Sequence, residues 1–148
     1  MTSILDTKRF LIVTLITSIW INVSEVFRYF VLVRPRTRAF FNGRPGIAEM
    51  DWFIFAIWGL WDMLLSAVVV LSFWLFAKVF GNTGQSVLAS GTFSWIFLFV
   101  LFWMATANMG LSDWQILWIT LPLSWLEMVL ASFIASKLYK KNLLMKSI

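Results

Sequence analysis

A chain of 148 residues that is 61% hydrophobic and only 13% charged departs far from the makeup of soluble domains and reads as a membrane protein. It contains no Cys and no His, which excludes disulfides, thiolate nucleophiles, imidazole bases and the commonest ligands for zinc, copper and haem. We therefore expect no metal and no cofactor, with any proton chemistry left to Asp, Glu, Tyr, Lys or water. The net charge of +5 comes from Lys and Arg in loops and at the ends, where they set orientation and meet lipid headgroups, so no nucleic-acid partner is expected.

Crossing the hydrocarbon core takes about 20 mainly apolar residues. The sequence supplies four such segments, which predicts an all-α, four-transmembrane-helix bundle in a single transmembrane domain over residues 1–148. The first runs over residues 10–33, after Lys8 and Arg9. It is too long for a signal-peptide core, carries Asn22 and Glu25, and lacks a small-residue cleavage site, so we read it as a retained helix. Pro35 disfavours helical geometry at Arg34 and predicts a stop there. Residues 34–46 then form the long polar connection, with turns at Asn42-Gly43 and Pro45-Gly46, and Phe40 and Phe41 placed to dip into the interface.

The second helix spans residues 52–77, with Lys78, Gly81 and Gly84 as its terminators. The third covers 87–109, is rich in aromatic residues and carries Asn108 near its end. After a tight connection at 110–113, Ser112 or Asp113 caps a fourth helix over 114–139. That helix holds Pro122, which cannot donate to the Trp118 carbonyl, and closes on Lys137, Lys140, Lys141 and Lys146. Four crossings put both termini on one side. That side holds seven basic residues against the four of Arg34, Arg36, Arg38 and Arg44, which predicts cytoplasmic termini.

Charges inside such segments are costly and mark candidate sites. Glu25, Arg28, Asp62 and Glu127 all lie toward the arginine-rich side when depth is counted at about 1.5 Å per residue. Helical spacing puts Thr14, Ser18, Asn22, Glu25 and Tyr29 on one face, Gly59, Asp62 and Ser66 on another, and Thr120, Ser124, Glu127 and Ala131 on a third. The small residues among them let helices close around the acids. Together these patterns predict a one-sided polar pocket beneath the arginines.

Each feature also has a plainer reading. Glu25 and Arg28, at i and i+3, suffice as a structural ion pair. Asn22 and Asn108 serve as interhelical glue, Trp58, Trp61 and Trp125 as core, and the arginines as contacts to lipid phosphates. With one deep cation for three acids, either Arg28 serves more than one carboxylate or one acid carries a proton.

Weighed together, these readings make Glu25, Asp62 and Glu127 the candidate catalytic acids and bases. Asn22, Arg28, Tyr29, Trp58, Trp61, Asn108 and Trp125 are the candidate substrate-binding residues. The expected chemistry is acid–base catalysis on a lipid-soluble substrate, of isomerase, hydrolase or cyclase type. The expected partners are membrane lipids, an apolar small-molecule substrate and a second copy in a homodimer. A proton- or cation-coupled transporter or channel acting as a homo-oligomer is the main alternative, and a non-catalytic membrane subunit the second. Neither a phosphate-binding Gly-rich loop nor a serine elbow is present.

Overall fold

Every backbone amide inside a bilayer needs an internal partner, and an apolar chain without closed strand pairing meets that demand as helices. The computed structural model describes residues 7–42, 44, 46, 48 and 50–144, with side chains to residue 139, and these form an all-α four-helix bundle. The first helix is Thr7–Phe41, the second Trp52–Phe80, the third Gly84–Asn108 and the fourth Trp114–Leu144. All four are long and apolar enough to cross a membrane, as in a multi-pass integral membrane protein. Large apolar side chains such as Leu15, Ile19, Leu64, Leu75 and Phe97 cover the outside, where lipid is the solvent.

Each helix packs on its sequence neighbour, and the fourth closes the ring on the first. The second and fourth also touch across the diagonal. Buried hydroxyl side chains permit this closeness: Thr17, Ser66, Ser90, Thr120 and Ser124 are almost wholly enclosed. The tightest approach is at Gly91, where an added Cβ would lie 2.7 Å from the Val129 Cα. Two apolar clusters stack along the bundle. Val13, Val70, Phe73, Ala77, Val87 and Ala135 fill the half nearer the termini, and Ile21, Leu65, Val69, Phe99, Met128 and Ala131 fill the middle.

The expected stop at Pro35 does not occur. The chain stays helical to Phe41, so Arg34, Arg36 and Arg38 stand on a helix rather than in a loop. A π-helical turn over Arg28–Val33 makes this possible, with the Arg34 amide donating to the Tyr29 carbonyl five residues back. That shift in register delivers Pro35 to the first turn of a fresh α segment, where a missing N–H is harmless. The helix ends where Asn42 turns left-handed, at φ 38°, its amide donating to the Arg38 carbonyl. The polar connection shrinks accordingly. Of its expected turns, Gly43 and Pro45 lie outside the described residues, as does Lys146.

The remaining ends follow local chemistry. Asp51 caps the second helix, its Oδ1 accepting from the Ile54 amide at 2.8 Å, and the helix runs past residue 77 to Phe80. Thr83 caps the third. At the fourth, Asp113 is the capping side chain, taking the Gln115 amide at 3.0 Å, while the Ser112 hydroxyl is buried without a hydrogen-bond partner among the described residues. A second π turn, Ile96–Val100, interrupts the third helix.

Candidate functional site

Both π turns lie against one cavity. Such turns widen a helix by one residue and redirect its side chains, and they recur at functional positions. Arg28, Tyr29, Phe30 and Val33 from the first and Leu98 and Phe99 from the second line a space of about 570 Å³. The first helix also contributes Asn22 and Glu25, the second Trp58, Trp61 and Asp62, and the third Phe102, Trp103 and Thr106. The cavity therefore sits in the half of the bundle away from the termini. The mid-bundle cluster containing Ile21, Val69 and Met128 lies on its side toward them. Trp58, Trp61 and Phe102 belong to both its wall and the half-exposed outer surface, and Thr37, Met50, Leu111 and Ser112 carry the lining out to the end of the bundle away from the termini.

The charges divide into a paired set and a remainder. Arg28 is 4% exposed and donates to the Glu25 carboxylate on its own helix. Its second terminal nitrogen lies 3.4 Å from Glu127 Oε2, and its guanidinium stands 4.9 Å from the centroid of the Phe99 ring. Glu127, 1% exposed, also accepts from the Ser24 hydroxyl at 2.7 Å. Its other oxygen is buried without a hydrogen bond among the described residues. The Trp20 indole donates to the Glu127 backbone carbonyl at 3.2 Å and fixes this level of the fourth helix against the first. One guanidinium thus serves two acids from two helices.

Asp62 is the remainder. It is 6% exposed and lines the cavity, and its carboxyl makes no hydrogen bond or ion pair among the described residues. It still feels the charges of Glu25 and Arg28. Its helix accommodates the arrangement locally, because Ser66 turns its hydroxyl back to the Asp62 carbonyl at 2.7 Å and leaves the carboxyl to the cavity.

The expected site residues therefore separate. Asn22, Glu25, Arg28, Tyr29, Trp58, Trp61 and Asp62 come together on the cavity wall. Glu127 does not line it, lying behind Arg28 in the interface of the first and fourth helices. Trp125 is turned away, its indole donating to the Thr92 hydroxyl at 3.0 Å. Asn108 is exposed at the end of the third helix and does not line the cavity. The carbonyl that gains a long-range bond near Pro122 is that of Leu121, from the Trp95 indole at 2.8 Å.

Sequence reasoning missed Phe99, Phe102, Trp103, Thr106 and Ser112 as lining, and Ser24 as the partner of Glu127. The aromatic richness of the third helix hinted at the rings. Nothing local pointed to Ser24.

The arrangement can bind a mostly apolar molecule and present two carboxyls in unlike settings to its polar part. Among the described residues no cluster of three or more acids is gathered for a metal ion. No protein-family model, curated protein or solved structure matches the chain.

Proposed function

We propose that this protein is a membrane-embedded acid–base catalyst acting on a lipid-soluble small molecule, of isomerase, hydrolase or cyclase type. One observation carries the reading: an aromatic-walled cavity that offers Glu25, gripped by Arg28, and Asp62, which no side chain hydrogen-bonds or pairs among the described residues, to the same space. Two carboxyls in contrasting environments are the usual way for one scaffold to supply both an acid and a base. Half-exposed rings in its wall suit a substrate that arrives dissolved in lipid. The alternative of a conduit is disfavoured within a single chain, because Val13, Phe73, Val87 and Ala135 pack across the half that it would have to traverse.

In the same reading both termini face the cytoplasm. Arg34, Arg36 and Arg38 then meet phosphates of the opposite leaflet. Their stems are already ordered: the Arg34 guanidinium lies 5.3 Å from the Phe30 ring centroid, and Arg36 donates to the Leu32 carbonyl at 2.7 Å.

The test is a comparison of extracted membrane lipids, by mass spectrometry, from cells expressing the protein, Asp62→Asn or Glu25→Gln. The expected result is a pair of lipophilic species, isobaric or differing by one water, whose ratio shifts only with the unaltered protein. Identical profiles from all three, with each folded and inserted, overturn the proposal. A reporter fused to the carboxyl end reads the orientation.

A further inference from the structure

A carboxylate removed from water without a counter-charge is among the costliest groups a protein can hold. Asp62, when ionised, is such a group, and its surroundings identify what would relieve it. The only cation at this depth among the described residues, Arg28, is already engaged by Glu25 and Glu127. What Asp62 meets instead is a wall of rings. Trp58 stands one turn before it on the same helix, Trp61 is its neighbour, and Phe99, Phe102 and Trp103 line the third-helix side of the same space.

Aromatic faces carry negative potential and attract cations, most strongly when water is excluded. An anion would be repelled by an ionised Asp62 and by the neighbouring Glu25, and a neutral molecule would leave that charge uncompensated. We propose that the cavity takes a lipophilic cation, an apolar molecule bearing one ammonium-like centre, with its charge beside Asp62 and its apolar groups against Trp58, Trp61 and Phe102. This rests on the reading of the cavity as a substrate site and names the class of molecule it accepts.

The experiment uses the full chain purified in uncharged detergent and three probes of similar shape: tetraphenylphosphonium, neutral triphenylphosphine oxide and anionic tetraphenylborate. Binding is followed by equilibrium dialysis and by quenching of tryptophan fluorescence. The expected result is saturable binding of the cation alone, weakened about tenfold or more by Asp62→Asn, which removes the charge that the cation would face. Trp58→Leu, which leaves every charge in place, weakens it as well, while Trp125→Phe leaves it unchanged.

Equal binding of the neutral probe, indifferent to Asp62→Asn, overturns the cation proposal and leaves the cavity a substrate site for neutral molecules. Failure of all three probes on folded protein overturns both. If Asp62→Asn does not fold, the ratio of cation to neutral affinity, with Trp58→Leu, decides the matter.

Discussion

The ion pair between Arg28 and Glu127 is the most demanding part of this structure, and it can be tested alone. At 3.4 Å two unit charges attract by about 5 kcal/mol for an effective dielectric near 20. Desolvation of both groups offsets much of that, so the net coupling is smaller than the Coulomb figure. Glu127→Gln keeps the volume and the Ser24 bond but removes the charge. Arg28→Met keeps the stem and leaves Glu25, Asp62 and Glu127 with no cation among them. We expect Arg28→Met to destabilise the bundle by about 3–5 kcal/mol, as when one partner of a buried pair is removed. The double variant should be milder than the sum of its parts by about 1–3 kcal/mol, because the loss of either charge lessens the harm of losing the other. The assay is reversible unfolding in mixed micelles, followed by tryptophan fluorescence and circular dichroism, on the four members of the cycle. Additivity within about 0.5 kcal/mol would refute the pairing and with it the assignment of Glu127 to a structural position behind Arg28.

Other consequences can be read from single sites. Gly91→Ala places a methyl group against the Val129 backbone, which cannot swing aside, and should cost about 1–3 kcal/mol in the same unfolding assay. Gly59→Ala is its control: the nearest atom, Asn22 Oδ1, is 3.9 Å away, so its cost should stay within about 0.5 kcal/mol. Trp125→Phe removes the bond to Thr92 and should cost about 0.6–1.7 kcal/mol without changing what the cavity holds. Ser24→Ala leaves Glu127 with Arg28 alone and should lower stability by about 1–3 kcal/mol, while a lipid profile set by Asp62 and Glu25 persists.

What local chemistry dictates could be read in advance. Glu25 and Arg28 meet because i and i+3 share a helix face, and Asn22, Glu25 and Tyr29 line one wall for the same reason. Asp113 caps its helix as its position beside Trp114 implies. Asp62 faces the cavity from the face it shares with Gly59. The residues that the fold places apart from the cavity are those whose position depends on rotation about a helix axis or on depth along it. Trp58 and Trp125 look alike in sequence, each near an acid, yet one lines the cavity and the other bonds to Thr92. Asn108 and Asn22 differ in the same way, one exposed at a helix end and one on the wall.

The four spans, their order and the concentration of charge in one half follow from hydropathy alone, because an apolar run of this length has one stable form in lipid. The helices are apolar on nearly every side, so no stripe tells a bundle-facing position from a lipid-facing one. Only the packing of one helix against another settled that Arg28 answers Glu127 as well as Glu25 and leaves Asp62 over. The continuation past Pro35 likewise depends on a π turn that places Arg28 against Phe99 and Glu127 on two other helices, contacts that local sequence does not encode.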